Sequence, residues 1–159
     1  MNGFLIDTNV LIEGIKGNAK ELLFLIDDNL DEYEFCIPVN VLEELVFILL
    51  RGFSGVGYWK LKKDSDGLKA VYATKVKPFV EYFTRFFRVL DVNFEVFKIS
   101  CEIVERYGLL LNDALILATC KHYGIKYLIS LDKDFERACA EEKVVLVSDA
   151  EKLRAILER

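Results

Sequence analysis

Short, uniformly apolar runs alternate with longer amphipathic stretches along almost the whole chain, and nothing else in the sequence restricts its fold so much. The runs are Gly3-Phe4-Leu5-Ile6, Glu34 to Ile37, Phe86 to Leu90, Tyr127-Leu128-Ile129-Ser130 and Val144 to Val147. Apolar segments this short, bounded by polar or turn-forming residues, suit strands covered on both faces. Between them the spacing predicts helices over Val10 to Ile15, residues 19 to 30, Pro38 to about Arg51, Leu68 to Tyr82 with a break near Pro78, Asn93 to Tyr107, Asp113 to Tyr123, Asp132 to Ala140, and from Ser148 to about Leu157. Thr8 or Asn9, Asn112 and Ser148 are placed to cap three of them, and Pro38 suits a first turn. In the helix from Asn93, Phe94, Phe97, Cys101 and Val104 share one face. The alternation predicts an α/β fold of three layers, α/β/α, around a central, mainly parallel sheet of four to five strands.

At 159 residues the chain suits a single domain, 1–159, and its 53% hydrophobic content supplies a substantial core. Nine glycines and two prolines are too few for disordered or collagen-like architectures. No signal segment and no apolar stretch of about 18 residues is visible, so neither secretion nor a membrane span is expected and the reading is cytoplasmic. The four cysteines, Cys36, Cys101, Cys120 and Cys139, form no CxxC pair and lie in apolar contexts. They read as reduced core thiols rather than zinc ligands.

The net charge of −5 hides an asymmetry. Residues 51 to 88 hold nine basic and three acidic side chains, a balance of +6, which leaves −11 on the rest. The same span, an insertion or helical arm with a loop over 52 to 67 marked by Gly52, Gly55, Gly57 and Gly67, is rich in aromatics. Basic side chains can meet phosphates and exposed aromatics can stack unpaired bases, although core packing explains aromatics equally well. Tyr58, Trp59 and Lys60, with Lys62 and Lys63, form the stretch best suited to RNA or a partner.

Four acids stand where an α/β sheet builds its sites. Asp7 follows the first strand, Glu44 lies in the helix after the second, Asp113 starts a helix, and Asp132 follows the fourth strand. In a parallel sheet the carboxyl ends share one edge, and ligands bind in the crevice there. Converging carboxylates resist joint ionisation. Divalent Mg²⁺ or Mn²⁺ relieves that repulsion, and two such ions can activate water and stabilise the leaving oxygen of a phosphodiester. Glu44 borders the apolar helix face of Val41, Leu45, Ile48 and Leu49, whereas Glu43 is turned about 100° away. Glu44 is therefore the expected ligand.

Asp7-Thr8-Asn9-Val10-Leu11-Ile12 resembles the opening motif of PIN-domain nucleases. Pro38 to Leu45 resembles their second motif, Leu111-Asn112-Asp113-Ala114-Leu115-Ile116-Leu117-Ala118 their third, and Leu128 to Phe135 their fourth. The resemblance covers residues 4 to 135 and implies a metal-dependent, single-strand-directed endoribonuclease like toxins of the VapC type, with an antitoxin partner and a homodimeric state. It implies metal ligation by Asp7, Glu44, Asp113 and Asp132 and an Asp7 loop held by Thr8 and Asn9. Ser130 stands where the family often has threonine, and Asp134 is an auxiliary acid. The arm at 51 to 88 is longer than in small toxins of this group.

Two other classes are open. A catalytically silent module would keep the fold and bind RNA or act as a scaffold. A phosphotransfer enzyme with Asp7 as nucleophile would need an acid two residues on, where Asn9 stands. The single histidine, His122, suits a helix C-terminus and leaves no partner for a Ser-His-Asp triad.

Overall fold

The computed structural model describes residues 3–159, and in it the predicted alternation becomes a five-stranded sheet flanked by helices. Strands β1 (Gly3–Ile6), β2 (Glu34–Pro38), β3 (Arg88–Leu90), β4 (Tyr127–Ile129) and β5 (Val145–Val147) are all parallel, in the order β3-β2-β1-β4-β5. The central strand β1 is buried along its length, as are Phe35, Cys36 and Ile37 of β2 and Leu128 and Ile129 of β4. Two covered faces explain why these strands read as unbroken apolar runs instead of alternating ones.

Helices α1 (Thr8–Lys16), α2 (Lys20–Asp27), α3 (Val39–Ser54), α7 (Phe94–Tyr107), α8 (Leu111–Tyr123), α9 (Phe135–Glu141) and α10 (Ala150–Leu157) connect and cover the sheet. Amphipathic α3 buries Val41, Leu45 and Leu49 one turn apart, whereas α8 is enclosed on several sides, from Ala114 to Cys120. Among the described residues no helix is long and apolar enough to cross a membrane.

Several expectations need correction. Residues 52 to 67 are not a loop: α3 runs on to Ser54, α4 occupies Tyr58–Lys63, and α5 (Ser65–Val71) follows at once. The glycines punctuate helices instead. Gly55 closes α3 in the left-handed region at φ 68°, and Gly57 precedes α4. Gly67 lies so close to the Asp64 carboxylate, which accepts from its N–H at 2.9 Å, that a Cβ would collide with it. Nor does Pro78 break the arm. A π-helical turn over Tyr72–Val76 leads straight into α6 (Lys77–Phe86), and Pro78, which has no N–H to donate, sits at the start of that helix. Phe86 ends α6, so β3 starts later than expected.

On α7 the structure buries Val96, Ser100 and Ile103, while Phe94, Phe97 and Cys101 are exposed. Cys101 is thus not a core thiol; Cys36, Cys120 and Cys139 are. Asp149 rather than Ser148 caps α10, accepting from Lys152 N–H at 2.8 Å. Helix α8 starts at Leu111 with no side-chain cap, so Asn112 sits inside its first turn. Asp132 and Asp134 precede α9 rather than lie in it. The first helix likewise has no side-chain cap from Thr8 or Asn9.

The central strand should be the most sensitive position in the core. Leu5→Ala, at a site with no exposure, is expected to cost about 2–5 kcal/mol, read from a lowered urea midpoint.

Candidate active site

The register of the sheet builds the site. Ile6 pairs with Ile129 as β1 and β4 both end, which makes Asp7 and Ser130 the next rung. The Asp7 N–H donates to Ile129 O at 3.0 Å, and Ser130 Oγ donates to Asp7 Oδ2 at 2.6 Å. Asn9 Nδ2 donates to the same Asp7 oxygen at 2.9 Å and to Ser130 Oγ at 3.2 Å, while Asn9 Oδ1 accepts from Leu131 N at 3.1 Å. This rung lies where the strand order reverses, since the chain moves from β1 to β2 and β3 on one side and returns to β4 on the other. That switch point is where open α/β sheets form ligand crevices.

The other acids arrive from three further segments. Thr8 Oγ1 and Asn112 Nδ2 both donate to Glu44 Oε2 at 2.7 Å, joining α1, α3 and α8. Asn40 Nδ2 in turn donates to Asn112 Oδ1 at 2.8 Å. Asp113 follows Asn112 in the first turn of α8, which brings it to the same edge. Asp132 is turned by two local bonds: its N–H donates to Ser130 Oγ at 3.1 Å, and its Oδ1 accepts from Asp134 N at 2.9 Å. The result is an open crevice of about 260 Å³ lined by Asp7, Glu44, Asp113 and Asp132 with Thr8, Asn9, Ile12, Glu13 and Ile48. No basic side chain lines it.

Like charge and burial act together there. Burial above all pushes Asp7 up to about 6, with Asp113 and Glu44 adding to the rise and the Ser130 bond opposing it. Asp113 is also pushed up to about 6, by burial first and then by the charges of Asp132, Glu44 and Asp134. A divalent cation fits this donor set: hard carboxylate oxygens from four segments, costly to ionise together, in a crevice without a compensating base. Among the described residues, no three or more acidic, histidine or cysteine side chains already close into a ligand shell. The carboxylates stand around the crevice, those of Asp7, Glu44 and Asp132 with supporting hydrogen bonds already made.

All four expected acids therefore meet, and Thr8, Asn9 and Ser130 touch them. Asp134 is exposed outside the lining, yet its charge reaches Asp113. Glu43 is exposed and Glu44 half-buried, as the helix phase required. Tyr58, Trp59, Lys60, Lys62 and Lys63 lie on α4, outside the crevice. The sequence reading missed Glu13, although its spacing of four from Asn9 puts both on one helix face. Asn18 Nδ2 donates to Glu13 Oε2 at 2.6 Å, and this bond lowers the pKa of the Glu13 carboxyl. It also missed Asn112 and Asn40 as supports of Glu44, a contact across 68 residues with no local signal.

A parallel α/β/α sheet with four carboxylates around a crevice at its switch point defines an α/β protein whose acidic site suits a cation. The PIN domain family model matches residues 4–141, and the chain belongs to the PIN domain family. It is 36% identical to Ribonuclease VapC2 of Methanocaldococcus jannaschii over 140 residues, covering 86% of this chain and 89% of that protein. Ribonuclease VapC6 of the same organism is 34% identical over 140 residues, covering 83% and 90%. Among solved structures, DNA-bound VapBC from Salmonella typhimurium aligns with a TM-score of 0.62 at 20% identity, over 92% of this chain and 98% of that one. VapBC2 from Rickettsia felis, bound to a promoter DNA fragment, gives 0.59 at 16% identity, over 91% and 97%. At those identities the structures speak for the fold alone.

The raised acids make a stability prediction. A carboxyl whose folded pKa is about 6, against an ordinary 3.8, favours the folded state fully below pH 4 and loses that contribution as pH rises through 6. Asp113→Asn should thus raise the melting temperature at pH 7.5, by roughly 2–4 °C per kcal/mol recovered, and leave it unchanged at pH 4. Thermal melts of both proteins at the two pH values check this.

Proposed function

We propose that the protein is a Mg²⁺- or Mn²⁺-dependent endoribonuclease that hydrolyses phosphodiester bonds of single-stranded RNA, and that it acts as the toxin of a toxin–antitoxin pair. The observation that carries this reading is the meeting of Asp7, Glu44, Asp113 and Asp132 around one crevice with no basic side chain in its lining. The two relatives named ribonucleases, each above 30% identity over most of their length, support the RNA substrate. An antitoxin partner is part of this proposal, since proteins that share the fold occur in VapBC complexes.

Asp7, Glu44, Asp113 and Asp132 would hold the cation, which when bound supplies activation of water and stabilisation of the leaving oxygen. The chain's own residues set the geometry. Ser130 and Asn9 fix Asp7 through Oδ2, and Thr8 and Asn112 fix Glu44 through Oε2. Carboxylates turned by such bonds need little reordering to take a ligand. Asp7 and Asp113, with pKa values of about 6, must lose their protons to bind a cation, so capture weakens below pH 6.

Tyr58, Trp59, Lys60, Lys62 and Lys63 extend the site toward RNA. Trp59 is 70% exposed and Tyr58 44%, so neither is core, and Lys62 Nζ lies 5.6 Å from the Trp59 ring centroid. Self-association has a surface in the exposed Phe94, Phe97, Leu110 and Leu111, which a second copy would cover.

The test is cleavage of a mixed RNA pool with Mn²⁺ and with a chelator. Cleavage that needs the cation, and that Asp7→Asn abolishes while the variant stays folded, is the expected result. Undiminished cutting by Asp7→Asn would refute the assignment. Thr8→Val and Asn112→Ala, which remove only the supports of Glu44, should lower activity about 10- to 100-fold, measured as initial rates at saturating Mn²⁺.

A further inference from the structure

Beside the acidic crevice lies a second cavity of about 470 Å³, lined by Ile48, Arg51, Gly52, Gly55, Val56 and Gly57. Ile48 lines both, so the two spaces share a wall. The volume is in the range of small-ligand pockets. Its floor is largely bare backbone: a Cβ at Gly52, Gly55 or Gly57 would meet nothing within 4 Å.

A row of cations and rings leads away from it. Arg51 lies 5.7 Å from the Phe47 ring centroid, Phe47 is 6.0 Å from Tyr58, Tyr58 is 5.1 Å from Trp59, and Lys62 caps Trp59. None of the ion pairs among the described residues uses Arg51, Lys60, Lys62 or Lys63. These charges are thus not spent on internal acids. They face a molecule whose remaining surface is acidic, so their complement is an external polyanion.

Resting on the ribonuclease reading above, we infer that this cavity is a nucleotide subsite. It takes the base of a nucleotide next to the scissile phosphate of single-stranded RNA, with Arg51 on the phosphate and the Tyr58–Trp59 row stacking the bases that follow. Rings that stack on unpaired bases combined with cations that track the backbone are how single strands are held without sequence readout. An acidic peptide would use the cations but leave the rings and the cavity unfilled. Duplex RNA would keep its bases paired and out of reach.

The test uses fluorescence anisotropy of a labelled 12-nucleotide single-stranded RNA with the intact protein, in chelator so that no cleavage occurs. Arg51→Gln removes the cation. Gly52→Leu adds bulk to the lining at an exposed helical position whose Cβ would meet nothing within 4 Å and where leaving glycine favours the helix. Each should weaken binding about tenfold, the effect of losing one stacked base or phosphate contact. Wild-type affinity in either variant would overturn the subsite, as would equal binding of duplex RNA or of polyglutamate of matched charge. Should Gly52→Leu fail to fold, Trp59→Ala, at a side chain 70% exposed, takes its place beside Arg51→Gln with the same loss expected. Absence of any Mn²⁺-dependent cleavage by the wild type would instead defeat the ribonuclease reading, with the anisotropy still deciding the cavity.

Discussion

The structure depends on carboxylates being forced together at one edge of a parallel sheet. β1 and β4 end in register, which brings Asp7 against Ser130, and the helices after β2 and before β4 bring Glu44 and Asp113 to the same edge. Like charges at such range would favour an opened site. The chain resists this by giving the acids neutral donors: a serine, a threonine and two asparagines, through bonds of 2.6 to 2.9 Å. Lysine or arginine would neutralise the crevice and leave nothing to attract a cation. Amide and hydroxyl donors hold the oxygens in place and keep their charge.

That choice links stability to function. Asp7 is only 4% exposed and pays for its burial with a pKa of about 6. A sheet buried on both faces makes this tolerable, because Phe4, Leu5 and Ile6 immediately before it are wholly enclosed and fix the strand end. The arm makes the opposite choice. Its α4 is anchored by one buried residue, Leu61, and shows its cations and rings to solvent. On the proposed reading, an acidic crevice beside a basic arm would let a polyanion be gathered by one part of the molecule and cut by another.

The layered architecture was legible in the sequence because double-sided burial imposes continuous apolar runs that few other contexts require. Asp7, Asp113 and Asp132 were legible because they stand at or just past a strand end or in the first turn of a helix, and Glu44, inside α3, because the helical phase separated it from Glu43. What escaped were features set by contacts distant in sequence. Asn112 reads locally as a helix cap, and only the approach of α3 makes it a support for Glu44. The glycines of 52 to 67 read as a loop because a glycine that ends a helix and one that lies in a loop look alike in composition. The exposed stripe on α7 was read as one shared face, but apolarity alone does not say whether a face meets the protein's own core or solvent.

The central claim, that the four acids form one cation-binding unit, is tested most directly by melting the protein across a range of Mn²⁺ concentrations at pH 7. A ligand bound only by the folded state raises stability by RT ln(1 + [L]/Kd). The account predicts a melting temperature that climbs with Mn²⁺ in the wild type and stays flat in Asp7→Asn. A wild-type melting temperature indifferent to Mn²⁺, or an equal climb in the variant, would contradict it.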